Sequence, residues 1–93
     1  MAFTVSYHAL EKHLYYPHFF QGASAFLNSE TMMESIQACL DKPDTTMTDA
    51  QRTCLEKDFN VSIGFKGHGK GKSFRVKVVR RKLQNHVITA YPI

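Results

Sequence analysis

Three histidines near the start of the chain, His8, His13 and His18, are the residues best suited to chemistry. Their intervals of five do not place two imidazoles on one helix face, as metal-binding spacings of four do, and no HExxH motif is present. A metal site is therefore not expected. Because an imidazole has an ordinary pKa of about 6.5, it can accept or donate a proton at neutral pH. This segment indicates acid–base chemistry that needs no metal.

A glycine-rich segment, Gly67–Ser73, carries the second chemical signal. Gly71-Lys72-Ser73 matches the end of a P-loop, but Lys66 stands where that motif needs its first glycine, so a nucleoside triphosphate site is not expected. The segment's basic side chains could instead contact a phosphate chain, or they could simply form an exposed hairpin tip. These side chains are Lys66, His68, Lys70 and Lys72.

The charges of the chain are divided unevenly. The whole sequence of 93 residues has a net charge of +4, but Met1–Asp58 contains all eight acidic residues and has a net charge of −4. Phe59–Ile93 has eight basic residues, no acidic ones and a net charge of +8. A segment this basic produces a field that attracts phosphates, so an anionic partner such as RNA is expected.

Two cysteines, Cys39 and Cys54, leave two readings open. They could form one disulfide, or they could be partly buried thiols on neighbouring helices. A C-x₁₄-C spacing without a second cysteine or histidine pair is not a zinc signature. No apolar run approaches the roughly 20 residues that a membrane-spanning helix needs, so no membrane span is expected.

Three helices are predicted in the first part of the chain. They run from Ser6 to about Tyr16, from Asn28 or Ser29 to about Leu40, and from Thr48 to about Lys57. Pro17 would end the first helix, and Thr48 with Gln51 would form a capping box for the third. The buried stripe of the second helix is predicted to be Met32, Met33, Ile36, Cys39 and Leu40. The chain between the second and third helices is predicted to be turn and loop.

Apolar and polar residues alternate in the last part of the chain, which predicts strands at Phe59–Phe65, Phe74–Val79 and Val87–Tyr91. The short connections between them imply antiparallel pairing. The expected fold class is α+β, with N-terminal helices packed on one face of a three- to four-stranded antiparallel sheet. A chain of this length forms a single domain, with residues 1–58 as a helical part and 59–93 as a basic β-meander.

The face of this sheet that points away from the helices is expected to be cationic, hydroxyl-bearing and aromatic. The alternation assigns to it Asn60, Ser62, Lys66, Arg75, Lys77, Val87, Thr89 and Tyr91. Cations and hydroxyls bind phosphate oxygens, and a tyrosine can stack on a base. With a histidine from the first helix, such a face could cleave RNA without metal: a base removes the ribose 2′-OH proton, and the oxygen attacks the adjacent phosphorus.

Three short motifs resemble a known family. His8-Ala-Leu-Glu-Lys-His13 is similar to the HxxxKH segment of the bacterial ribonuclease A-like toxin domains at the C-termini of contact-dependent growth inhibition (CdiA-type) proteins. Ala23-Ser-Ala-Phe26 resembles the SxF element of that family, and Thr89-Ala-Tyr-Pro92 resembles the end of its closing hairpin. Bacterial toxin nucleases with barnase-, EndoU- or colicin-like folds end in similar hairpins, so the resemblance supports a toxin ribonuclease better than one subfamily.

The resemblance implies a catalytic set. The second histidine of HxxxKH and the Thr and Tyr of T-A-Y-P correspond to His13, Thr89 and Tyr91, with His8 as a second candidate for proton transfer. The family's arginine has no counterpart, because no Arg occurs between His13 and Arg52. Its role would fall to Arg75, Lys77 or a lysine of the glycine-rich segment.

The resemblance also implies a biological setting. The chain would be the effector end of a secreted or cell-surface protein, acting in the cytoplasm of a competing bacterium, where it would cleave tRNA or another RNA without a cofactor. A cognate immunity protein would neutralise it, and a translation elongation factor is a further partner of some related toxins. Two other functions fit the same residues: a non-catalytic RNA-binding module that uses the basic sheet face, and a domain that binds an acidic protein.

Overall fold

The computed structural model describes residues 3–6, 22–82 and 86–93. Its elements in chain order are β1 Thr4–Val5, β2 Ala25–Phe26, α1 Ser29–Asp41, β3 Thr45–Thr48, β4 Arg52–Asp58, β5 Gly64–Phe65, a 3₁₀ turn Gly67–Gly69, β6 Lys72–Ser73, β7 Arg75–Arg81 and β8 His86–Pro92. The helix predicted from Ser6 to Tyr16 falls outside the described residues apart from its first residue.

Five strands form the main sheet, in the order β1-β8-β7-β4-β3. β1 runs parallel to β8, and the other neighbouring pairs are antiparallel. A second, antiparallel sheet has the order β2-β5-β6. α1 contacts β4 and β7, so the helix covers one face of the main sheet. The α+β class is confirmed, with a single α-helix among the described residues. The predicted three- to four-stranded antiparallel sheet is wrong, because the main sheet has five strands and includes one parallel pair.

α1 begins where its sequence predicts. Asn28 has an extended backbone, and its side-chain Oδ1 accepts a hydrogen bond from the Thr31 amide at 2.8 Å. This bond satisfies one of the amides that a helix start leaves without a partner. Met32, Ile36 and Cys39 are fully buried toward the sheet, whereas Met33, predicted in the same stripe, is 40% exposed.

The core lies between α1 and the main sheet. Its buried side chains are Phe26, Met32, Ile36, Cys39, Leu55, Ile63, Val76, Val78, Val87 and Ala90. The predicted strands Phe74–Val79 and Val87–Tyr91 correspond to β7 and β8, so the final hairpin is confirmed. No helix in the described part of the chain has the length and apolar character to cross a membrane.

The third predicted helix is wrong, because residues 48–57 belong to a β-hairpin. The turn between β3 and β4 is closed by Asp49, whose Oδ1 accepts hydrogen bonds from the amides of Gln51 and Arg52, each at 2.8 Å. A polar side chain that binds amides two and three residues ahead makes an Asx turn as readily as a helix cap. Residues 45–47, predicted as loop, form most of β3. Residues 1–58 are therefore not a helical part, since they supply three strands of the main sheet, β1, β3 and β4.

The long strand predicted at Phe59–Phe65 is also wrong. Only Gly64–Phe65 is a strand, and Val61 is 69% exposed. The Phe59 amide donates to the Phe74 carbonyl at 2.7 Å, and the Ile63 amide donates to the Ser73 carbonyl at 2.9 Å. The chain between these two bonds bends outward, so the alternation of apolar residues here does not mark one continuous strand.

Gly64 is required by the close approach of β5 to β2. A Cβ on this residue would lie 2.2 Å from the carbonyl oxygen of Ala25. We expect Gly64→Ala to lower the free energy of unfolding by about 1–3 kcal/mol, measured by urea denaturation, because two strand backbones must separate. Asn60→Ala is the control, because Asn60 is exposed and a substitution at such a surface position usually changes stability by less than about 0.5 kcal/mol. An equal loss in both variants would contradict the role of the close approach.

Candidate functional site

A β-bulge in β8 decides which side chains reach the face away from α1. Val78 pairs with Ala90 and Val79 with Thr89, but Arg80 pairs with Val87, so Ile88 is the extra residue. The bulge lets both Val87 and Ala90 be fully buried. Strict alternation placed Val87 on the outer face and Ile88 toward the helix. The Val87 prediction is wrong, because an inserted residue shifts the alternation by one position.

We call the face of the main sheet opposite α1 the second face. Paired residues of antiparallel strands share a face, so the register defines its members. They are Thr45 and Met47 on β3, Arg52, Cys54, Glu56 and Asp58 on β4, Arg75, Lys77, Val79 and Arg81 on β7, and Thr89 and Tyr91 on β8. Arg75, Lys77, Thr89 and Tyr91 are thus brought to one face, as their sequence positions predict.

Arg75 is bound by carboxylates of its own sheet. Its Nε donates to Glu56 Oε1 at 2.8 Å and one terminal nitrogen donates to Asp58 Oδ2 at 2.6 Å. The other terminal nitrogen lies 3.4 Å from the Thr45 hydroxyl. These hydrogen bonds, first to Glu56 and then to Asp58, raise the pKa of the guanidinium further above its usual range. The basic segment Phe59–Ile93 contains no acidic residue of its own, but β4 supplies two because it pairs with β7.

Lys77 is the cation of the second face that lies beside the β8 residues. It is half-buried, and its register partners are Glu56 on one side and Tyr91 on the other. Directly opposed side chains on an antiparallel sheet have Cβ atoms about 5 Å apart. No ion pair within 4.0 Å joins Lys77 to a described carboxylate, in contrast to Arg75. Lys77 is therefore the better placed of the two cations to bind an external phosphate.

Thr89 carries a hydroxyl that the fold itself does not use. Its Oγ1 is buried and has no hydrogen-bond partner among the described residues. Leaving a buried polar group unpaired costs about 1–3 kcal/mol. Thr89 shares the second face with Tyr91, two positions along β8, and with Lys77, the pairing partner of Tyr91; we call these three residues the Thr89 row. The Thr89 hydroxyl is suited to hydrogen-bond a ligand oxygen.

The glycine-rich segment lies in the smaller sheet, β2-β5-β6. It connects β5 and β6, and its backbone is held by hydrogen bonds from the Lys66 amide to the Gly71 carbonyl at 2.8 Å and from the His68 amide to the Gly22 carbonyl at 2.9 Å. His68 takes a left-handed conformation with φ of 59°. The side chains of Lys66, His68, Lys70 and Lys72 are exposed. They form a basic surface of the smaller sheet and are not in the row of Thr89, Tyr91 and Lys77.

His8 and His13 lie outside the described residues, so the structure gives no position for either. In the motif similar to SxF, Ser24 and Phe26 are both buried, and Phe26 belongs to the core. Sequence reasoning missed Glu56 and Asp58, the partners of Arg75. In the strand that holds them, buried Thr53 and Leu55 alternate with the more exposed Arg52 and Cys54. Thr53 and Leu55, two positions apart, were the available sequence signal for this strand.

Cys39 and Cys54 are both free and lie on opposite sides of the main sheet. Burial raises the pKa of the Cys39 thiol to about 11. We expect one fast-reacting thiol, Cys54, in a titration of the native protein with a disulfide reagent at pH 8. Cys54→Ala should remove it and leave Cys39 protected until the protein unfolds, because the protonated buried thiol is a poor nucleophile. Two equally fast thiols would contradict this assignment.

Comparisons of the chain with models of protein families, with characterised proteins and with solved structures give no match.

Proposed function

We propose that the protein is a metal-independent endoribonuclease toxin domain that cleaves RNA, most simply tRNA, by attack of a ribose 2′-OH on the adjacent phosphate. One observation carries the proposal: the Thr89 hydroxyl is buried without a described partner and shares a face with Lys77 and Tyr91. A hydroxyl, a cation and a phenol in one row are the groups that hold a phosphate and offset the charge of its transition state.

Each residue of the row has a distinct role in this reaction. Thr89 donates a hydrogen bond to a non-bridging phosphate oxygen, and Lys77 offsets the charge that builds up there. Tyr91 donates to the same phosphate or stacks on a base. His13 is proposed as the group that moves the proton of the 2′-OH, with His8 as its alternative, on the resemblance to HxxxKH alone.

The resemblance also supports the setting that we propose. The domain would act in the cytoplasm of a competing bacterium as part of a secreted or cell-surface effector, and a cognate immunity protein would neutralise it. An elongation factor is a further candidate partner. The exposed basic side chains of the glycine-rich segment would then hold RNA outside the reaction centre, by contacts with its phosphates.

The test is incubation of the protein with total tRNA in EDTA. We expect fragments that end in a 2′,3′-cyclic phosphate, and no cleavage of an RNA with a 2′-deoxy substitution at the cut site. His13→Ala should reduce the rate by about 10²–10⁴-fold, since it removes general acid–base catalysis. Intact tRNA under all conditions, or cleavage unchanged in the double variant His13→Ala, Tyr91→Phe, would refute the proposed function.

A second function, binding of RNA without cleavage, is favoured by one feature of the structure. The exposed cations of the glycine-rich segment lie on a different sheet from the Thr89 row, which suits an extended contact with a phosphate backbone. This alternative predicts RNA affinity that falls steeply with salt and no product. If expression of the protein arrests bacterial growth and His13→Ala relieves the arrest, the result supports the enzyme over the binding module.

A further inference from the structure

A cavity of about 240 Å³ opens on the second face, next to Lys77. It is lined by Thr45, Met47, Thr48, Asp49, Cys54, Glu56 and Lys77. Cavities that take drug-sized ligands are usually larger, about 300–1,000 Å³. This one has room for a single planar ring system. Met47 and Cys54 provide apolar walls, while Glu56 and Lys77 place an acceptor and a donor side by side.

The cavity lies one strand away from the proposed phosphate site. Lys77 belongs to both, because it lines the cavity and pairs with Tyr91 on β8. Neighbouring strands are about 4.8 Å apart, so β4 and β8 lie roughly 10 Å apart across β7. A phosphate bound near Thr89 and a base bound in the cavity are thus separated by about the length of one nucleotide.

The Glu56 carboxylate of the cavity is complementary to one base edge. Of the two other charged groups in the lining, Asp49 has its Oδ1 bound to the amides of Gln51 and Arg52, and Lys77 also belongs to the proposed phosphate site. A carboxylate only accepts hydrogen bonds, and an ammonium only donates them. Arg75 fixes the Glu56 carboxylate through Oε1, and the described residues give Oε2 no hydrogen bond. Guanine presents two adjacent donors, N1–H and the 2-amino group, beside the acceptor O6. Cytosine and adenine present one such donor group, and uracil presents one N–H between two acceptors.

We propose that this cavity is a subsite for a guanine base of the RNA, with Glu56 accepting from N1–H and the 2-amino group. The ring lies against Met47, whose thioether packs well on aromatic faces. This inference rests on the proposed function for the identity of the ligand, but binding of a mononucleotide tests it without any cleavage.

The experiment is an NMR titration of the full chain with 3′-GMP, 3′-AMP, 3′-CMP and 3′-UMP, with methyl-labelled methionine. We expect the Met47 methyl signal to shift with 3′-GMP and the Met33 signal to stay in place, because Met33 lies on α1 at the other face. Both methionines are exposed, Met33 by 40% and Met47 by 77%. The affinity for 3′-GMP should exceed that for 3′-UMP by about tenfold or more, the usual effect of one good base contact.

A matched pair of variants distinguishes an effect on the subsite from an effect on the hydrogen bonds of Arg75 with Glu56 and Asp58. Glu56→Gln removes the carboxylate in the cavity, and Asp58→Asn removes the other partner of Arg75, which does not line the cavity. We expect Glu56→Gln to lose the preference for 3′-GMP and Asp58→Asn to keep it. Equal loss in both variants would assign the effect to Arg75 and overturn the subsite.

The outcomes also separate this inference from the proposed function. Equal affinity for the four nucleotides, or a Met47 signal that does not move, would overturn the subsite even if tRNA is cleaved. Binding of 3′-GMP at Met47 with tRNA left intact would support the subsite and refute the nuclease. Cleavage after guanosine that becomes indiscriminate in Glu56→Gln would support both.

Discussion

Thr89→Val is expected to lower the rate of RNA cleavage by about 10²-fold while leaving the protein at least as stable as the parent. Valine has the shape of threonine without the hydroxyl. If that hydroxyl donates to the scissile phosphate, its removal costs what the loss of one preorganised donor costs, about 10²–10³-fold in rate. Because Oγ1 is buried without a described partner, its removal should raise the free energy of unfolding by up to about 1 kcal/mol.

Single-turnover cleavage of tRNA and urea denaturation, carried out on the same preparations, measure the two effects. Thr46→Val is the control, since Thr46 is exposed and its register partner Leu55 is buried, which places it on the other face of the sheet. It should change neither quantity. A Thr89→Val protein with full activity would remove Thr89 from the phosphate site. A loss of more than about 1 kcal/mol in stability would mean that the hydroxyl serves the fold.

The sequence was sufficient to predict α1 and the β7-β8 hairpin, because in both the signals are local. Asn28 caps the helix within three residues, and the spacing of Met32 and Ile36 marks its buried face. In β7 the alternation around Val76 and Val78 matches their complete burial. The strand β8 holds Thr89 and Tyr91, so the placement of these two residues on one face could also be predicted.

The β3-β4 hairpin could not be separated from a helix, because its turn uses the same residue types as a helix cap. Thr48, Asp49 and Gln51 are common at helix starts, and only the actual hydrogen bonds from Gln51 and Arg52 to Asp49 distinguish the two structures. The β8 bulge has a similar cause. No feature of the sequence at Ile88 indicates a bulge, and only the pairing of β8 with β7 shows that Ile88 is the extra residue.

The electrostatic pattern of the site depended on strand order, which the linear sequence does not contain. Division of the chain at Asp58 separated acidic from basic residues, and Arg75 then had no obvious partner. In the fold, β4 lies beside β7 and brings Glu56 and Asp58 to Arg75 across 17 or more positions of sequence. Under the proposed function, the role of the arginine in the toxins that the sequence resembles therefore suits Lys77 better than Arg75.

Arg75→Ala is expected to lower stability, whereas Lys77→Ala is expected to leave stability nearly unchanged and to weaken RNA binding. Arg75→Ala leaves Glu56 and Asp58 close together without their shared cation, and hydrogen bonds to charged groups contribute about 1.5–3 kcal/mol each when well shielded. The side chains of Arg75 and Glu56 are 25% and 31% exposed, and that of Asp58 is 65% exposed, so solvent screening reduces the expected loss to about 1–2 kcal/mol. Lys77→Ala should change stability by less than about 0.5 kcal/mol.

For RNA binding, Lys77→Ala should lower the slope of log K against log salt by about one, because one phosphate contact is lost. Lys42→Ala, at the exposed end of α1 away from the second face, is its matched control and should leave the slope unchanged. Arg75→Lys should be nearly as destabilising as Arg75→Ala, since a lysine keeps the charge but cannot bind Glu56 and Asp58 in a fork. A Lys77→Ala protein with an unaltered salt slope would place the phosphate elsewhere, and an Arg75→Lys protein of full stability would show that charge alone holds the two carboxylates.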